Sequence, residues 1–256
     1  MEKRNILYQK EKHNNWVDLT ANLLRSLAAT DPDRYVWGET MQYVTLNFIS
    51  PNFTHEKLES PTYEDLVDVF EDRMRNWFLM PAKRLLEIPH CQIAAVALLM
   101  TYFEGIEIYL SGEDSKNKSF EFFAKGFSRV FPIQDKDRDA RKFVLRAIYD
   151  QVRCGFAHDG MFRNRVFFSD IPREPIIISF PRNNETLDTS RIESIVINPR
   201  LFFESIKNHF EDYLKSLRNG TDASIRKSFE TTVKLKWALD EDERAIGMTE
   251  EEFYKT

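Results

Sequence analysis

The stretch His90–Gly112, HCQIAAVALLMTYFEGIEIYLSG, decides the fold. From His90 to Leu110 apolar residues fall on nearly every side of a helix, with Gly112 as its stop. A helix that is apolar all round belongs at the centre of a bundle. Its longest uninterrupted apolar run, Ile93–Met100, is far short of the roughly 20 residues that cross a bilayer, so no membrane partner is expected.

Amphipathic helices flank this centre. Ser60-Pro61 supplies an N-cap and an N1 proline for a helix to about Met80. Its apolar face carries Leu66, Val67, Phe70, Met74, Trp77 and Phe78. Pro81 and Pro89 bracket a short helical turn. Ser115–Val130 reads as another helix, and one beginning after Asp135 carries Phe143, Val144, Ala147, Ile148 and Val152. The period then changes. Val166–Phe168, Ile176–Ile178 and Ile195–Ile197 are β-rich runs separated by Pro, Asn and Asp. They predict a small antiparallel β insert near residues 165–198. Asn198-Pro199 opens a last strong helix that ends at Asn219-Gly220, with Leu201, Phe202, Ile206, Phe210, Tyr213, Leu214 and Leu217 inward. The fold class is mainly α. The domain reading is an N-terminal extension over 1–60, a helical domain with its insert over 61–218, and a helical then acidic tail over 219–256. Within the extension, Trp16 to Leu27 fit a helical face ended by Asp31-Pro32-Asp33, and Met41–Ile49 fits a strand.

The 256 residues hold only Cys91 and Cys154, so neither a disulfide scaffold nor a four-thiolate zinc site fits. The first residues lack the apolar core of about 7–15 residues that a secretory signal needs, so a cytoplasmic protein is expected. The net charge of −5 hides two opposed regions. Arg141–Arg182 carries eight Arg and Lys against four acids, whereas Trp237–Thr256 carries seven acids against two bases. A basic segment in an acidic chain is a phosphate-binding footprint or a solvated helix face. The acidic residues Asp240–Glu243 offer themselves as a cover for it.

Neither glycine-rich phosphate loop, GxxxxGK[ST] or GxGxxG, is present, and no HExxH exists. Cys154 and His158 are four apart, but two ligands do not make a metal site. What remains is Arg153-Cys154-Gly155-Phe156-Ala157-His158-Asp159-Gly160, which follows a strong helix and lies within the basic stretch. An imidazole titrating near pH 6.5 can take a proton from a ribose 2′-hydroxyl or give one to the leaving oxygen. A guanidinium keeps its charge and matches a phosphate gaining negative charge. One His cannot be base and acid at once, so two copies facing each other would complete such a site. The competing readings are structural: His158 as a capping or core residue bonded to Tyr149 or Asp159, and Arg153 paired with Glu104 or Asp150.

The Arg-x4-His spacing after a bundle helix resembles the R-x4-6-H motif of the HEPN superfamily, compact helical domains of toxin–antitoxin and phage-defence systems. Phe156-Ala157 and Asp159-Gly160 fit the residues around that motif. The resemblance covers roughly 62–218. It implies a metal-independent endoribonuclease without a cofactor, acting as a homodimer on RNA and leaving 2′,3′-cyclic phosphate ends, with an antitoxin or other protein as a further partner. Arg153 and His158 become the catalytic pair, and Glu104, with Glu107 second, becomes the acid that orients the Arg. Arg163, Arg165, Asn164 and Asp159 become RNA contacts. The match departs at Cys154, where a polar residue, often Asn, is usual. That departure and the acidic chain favour the alternative, a non-catalytic module that binds a nucleotide, RNA or a protein partner.

Overall fold

The computed structural model describes residues 48–132, 138–163, 165–183, 186–220 and 222–239. All belong to one unit, Val44–Thr256; a preceding unit, Met1–Tyr43, lies outside the described residues. So do the Trp16–Leu27 helix and the Asp240–Glu243 cover, along with all but the last two residues of the Met41–Ile49 strand.

A short antiparallel hairpin, β1 (Phe48–Ser50) with β2 (Phe53–Thr54), leads into the first long helix. That helix, α1 (Tyr63–Arg73), starts at Thr62 rather than Ser60. Asp65 decides the difference. Its backbone N–H donates to Thr62 Oγ1 at 3.2 Å, and its carboxylate accepts from the Thr62 N–H at 2.9 Å. This reciprocal box satisfies two otherwise orphaned donors. The chain then widens into a π-helical segment, Met74–Leu79, before α2 (Met80–Glu87). Pro81 has no N–H to continue an α ladder across that junction.

The central apolar stretch is two helices, α3 (Gln92–Leu99) and α4 (Tyr102–Ser111), with a tightened step at Met100-Thr101. Thr101 makes it, because its hydroxyl donates to the Leu98 carbonyl at 2.8 Å and competes with the ladder. Taken together, Gln92–Ser111 is long and apolar enough by length and composition to cross a membrane, contrary to the count based on Ile93–Met100 alone. Half of it is buried in this protein, packed against α2 and the later helices Ser119–Val130, Pro199–Asn219 and Ala223–Lys236, as a core helix is. Gly112 ends it in the left-handed conformation at φ +74°.

Helix α5 (Ser119–Val130) lies on α4 and buries Phe122, Phe123 and Phe127. The approach is close at Gly126, where a Cβ would fall 2.0 Å from the Phe103 carbonyl oxygen. Helix α6 (Arg138–Ile148) runs into a second π-helical segment, Tyr149–Cys154, then into the short α7 (Gly155–Asp159). The insert follows as β3 (Val166–Phe168), β4 (Ile176–Ser179), the hairpin strands β5 (Arg182–Asn183) and β6 (Thr186–Leu187), and β7 (Ser194–Ile197).

The insert is mixed rather than purely antiparallel. Its order is β3-β7-β4, with β7 parallel to β3 and antiparallel to β4. Strand β4 doubles back without pairing to β3, and β7 fills the space between them. Ile195 and Ile197 face the core, while Phe167, Val196 and Ile177 stand in register across the outer face.

Asn198 caps α8 (Pro199–Asn219) as the sequence predicts, accepting from the N–H groups of Arg200 and Leu201. Its amide also donates to the carbonyls of Asp170 and Pro172, which ties the β3–β4 connection to the helix start. Helix α9 (Ala223–Lys236) buries Phe229 and Val233 against α4 and α8. The fold therefore does not stop at 61 or at 218: Leu58 and Phe229 are both fully buried. The core is aromatic. Phe103 meets Phe123, Phe127, Phe131 and Phe202, and Phe70 meets Tyr109, Phe210, Tyr213 and Phe229.

Candidate functional site

Arg153 sits at the end of the second π-helical segment, and α4 lies across from it. Its Nη2 donates to Glu104 Oε2 at 3.1 Å, and its guanidinium stands 5.4 Å from the Tyr149 ring centroid. Glu104 is held from its other side by the Ser115 hydroxyl, which donates to Oε1 at 2.9 Å. Glu107 is excluded from this pairing, because it is buried and takes Arg129 as its partner at 2.6 Å. The Arg–Glu pairing is one the sequence brings forward; Asp150, the other candidate for Arg153, instead pairs with Arg146 at 3.0 Å.

The π-helical segment places these groups. An extra residue per turn widens the helix and loosens its ladder. The freed Gln151 carbonyl accepts from the Arg163 N–H at 3.1 Å, which folds the loop after α7 back against the helix. Gly155 makes that return feasible, since a Cβ there would lie 3.0 Å from the Met161 carbonyl oxygen and 3.2 Å from Arg163 Cγ. Gly160, at φ +73°, ends α7.

His158 is exposed on α7 and makes no hydrogen bond or ion pair among the described residues. It is neither a core histidine nor a partner of Tyr149 or Asp159. No hydrogen bond joins it to Arg153. Between α3 and α7 an open cleft of about 420 Å³ is lined by Ala94, Ala97, Leu98 and Thr101 on one side, and Arg153, Phe156 and Ala157 on the other. The cleft is mainly apolar, with Thr101 and Arg153 as the polar residues of its lining.

Of the expected RNA contacts, Asp159 and Arg163 pair with each other at 2.9 Å. That hydrogen bond, on an exposed pair, raises the Arg163 pKa. Arg165 donates to the Ile192 carbonyl and so braces the insert. Asn164 lies outside the described residues. The structure thus brings Arg153 and Glu104 together, leaves His158 free and exposed nearby in sequence, and turns Arg163 and Arg165 to protein partners.

Two groups here escape a reading of the sequence. Ser115 is a loop residue with no local signal. Tyr149, four residues before Arg153, has one: that spacing stacks a ring under a cation on a helix. Burial pushes the Tyr149 phenol up, opposed by the Arg153 charge beside it. Its ring packs edge-on to Phe120 and Phe123. Cys91 and Cys154 are half-buried free thiols. Among the described residues no three His, Cys, Asp or Glu side chains converge as metal ligands would.

Fold and site together define a mainly helical domain with an ion pair at the edge of an open, mainly apolar cleft and, on the neighbouring helix, a histidine without a partner among the described residues. No family model, curated protein or solved structure matches the chain.

Proposed function

We propose that this chain is a metal-independent endoribonuclease of the HEPN type, acting as a homodimer in a toxin–antitoxin or phage-defence setting. The observation that carries the reading is the contrast between the two motif residues. Arg153 is oriented by Glu104, and His158 is exposed and uncommitted. A guanidinium has five N–H donors, and Glu104 engages only one of them here. The others remain for phosphate oxygens.

In the mechanism, His158 takes the proton from a ribose 2′-hydroxyl as that oxygen attacks the adjacent phosphorus. Arg153 stabilises the phosphorane-like charge, and the His158 of the second copy protonates the departing 5′-oxygen. The bond to the 5′-oxygen breaks, and a 2′,3′-cyclic phosphate is left. The apolar cleft between α3 and α7 gives room for a base beside the reacting phosphate.

The test is incubation of the purified chain with mixed RNA in EDTA. Cleavage that survives the chelator and disappears in His158→Ala supports the reading. No cleavage by the parent chain, or equal cleavage by the variant, overturns it. If RNA is then bound without being cut, the domain is a non-catalytic binding module, the role that Cys154 in the motif favours.

A further inference from the structure

Arg163 and Arg165 are engaged by Asp159 and by the Ile192 carbonyl, so the nuclease reading leaves its substrate backbone without an obvious grip. The basic stretch offers another. Lys142 and Arg146 are four residues apart on one face of α6, and Tyr149 and Arg153 follow on the π-helical segment that continues it. The contacts bear out that alignment where it approaches the site. The Arg146 guanidinium lies 4.9 Å from the Phe120 ring centroid and 5.7 Å from that of Tyr149. Arg153 lies 5.4 Å from the same Tyr149 ring. Tyr149 is therefore flanked by two cations, one from each side along the chain.

At the far end of this row, α5 and α6 part to form a cleft of about 490 Å³. Arg141, Lys142 and Lys125 line it, with Glu121, Phe120 and Ser128 among the other walls. Lys125 pairs with Glu121 at 2.8 Å, and Arg146 pairs with Asp150. Arg141 and Lys142 form no ion pair among the described residues. The Ser128 hydroxyl is buried there without a hydrogen-bond partner. On the α6 side of this cleft Arg141 and Lys142 have no ion pair among the described residues, and Phe120 supplies a ring on the α5 side.

We propose that the α5–α6 cleft and the Arg146–Tyr149–Arg153 row form a track for the sugar-phosphate backbone of single-stranded RNA, leading it to Arg153. The proposal rests on the nuclease reading for its direction, but its binding can be measured without cleavage.

The probe is a fluorescein-labelled oligouridine, titrated by anisotropy against His158→Ala protein so that the strand stays intact. For single strands each phosphate contact contributes about 0.7 to the slope of log K against log salt, or about fivefold in affinity at 0.1 M salt. Arg141→Ala with Lys142→Ala should weaken binding about 25-fold at that salt and flatten the slope by about 1.4. Lys207→Ala with Lys215→Ala removes the same charge from α8, where both lysines pair with surface acids, and should change neither quantity. Arg141 and Lys142 touch no core ring, so thermal unfolding should be unchanged. An unchanged slope in the track variant, or an equal loss in the α8 variant, overturns the track. So does failure of the parent chain to bind the strand. If binding falls as expected while His158→Ala still cleaves RNA, the track stands and the nuclease assignment of His158 fails.

Discussion

Replacing Gly126 by Ala tests the contact that sets α4 against α5. Helix propensity alone favours the change, by about 1 kcal/mol in a helix interior. Against it stands the Phe103 peptide group, with its oxygen 2.0 Å and its carbon 2.8 Å from the new methyl. Carbon–oxygen contacts ordinarily begin near about 3.3 Å, so the helices must separate by about 1 Å or more. The obstruction is backbone and cannot rotate away. The surfaces that would part carry Phe103, Phe123 and Phe127, whose ring centroids lie 4.9 to 5.8 Å apart. A gap of that size forfeits about a quarter to a half of each dispersion contact. Overpacking of this kind costs about 1–3 kcal/mol, and with backbone as the obstacle the upper end applies. After the propensity gain, the net loss is about 2 kcal/mol. For a chain of this size the melting temperature should fall by about 4–8 °C, read by calorimetry or circular dichroism. A melting temperature equal to or above the parent's would refute the close contact. Glu104 follows Phe103 in sequence, so the same shift should carry it from Arg153, and under the proposed nuclease function RNA cleavage should fall with stability.

Two further outcomes follow from the ion pair and from the half-buried His209. Glu104→Gln keeps the shape but removes the charge facing Arg153; the pair is only partly buried, so stability should drop by less than about 2 kcal/mol. Under the proposed nuclease function, single-turnover cleavage at 25 °C, where the variant is folded, should fall at least about tenfold, and full activity would remove Glu104 from the site. Burial, with the Arg129 charge nearby, holds the His209 imidazole below its ordinary value, and its Nδ1 shares a 2.8 Å hydrogen bond with the Tyr102 hydroxyl. The unfolded chain takes up that proton first, so the stabilisation is complete above about pH 6.5 and is lost as the pH falls through that value. His209→Gln should flatten the dependence of melting temperature on pH between about 7 and 5, and an unaltered slope would show that His209 does not set it.

Much of the helical frame is legible in the residues because it rests on apolar periodicity and caps. The α1 face, the apolar centre and the Asn198-Pro199 start are all local signals. So is the small sheet, whose strands announce themselves as Ile and Val runs. The parallel pairing of β3 with β7 is not local, since it depends on where β4 goes between them. The first N-cap shifts to Thr62 because a reciprocal bond with Asp65 outweighs a proline at N1. Nor do residue types announce the π-helical segments, in which one additional residue redirects several side chains. At the site, the pairing of Glu104 with Arg153 is legible, because an acid on an apolar helix needs a cation. The engagement of Arg165 with the Ile192 carbonyl depends on the insert's placement and leaves no sequence trace.

The widening at Tyr149–Cys154 acts as a phase shifter. Each residue of an α-helix turns the chain by about 100°, so a single surplus residue rotates everything downstream by that amount. The direction in which Arg153 points is thus fixed by counting, not by chemistry. Deleting one of the residues 150–152 would leave every motif residue type intact and still swing the guanidinium from Glu104. Descendants of this chain can therefore keep the letters of the motif and lose its geometry through one codon.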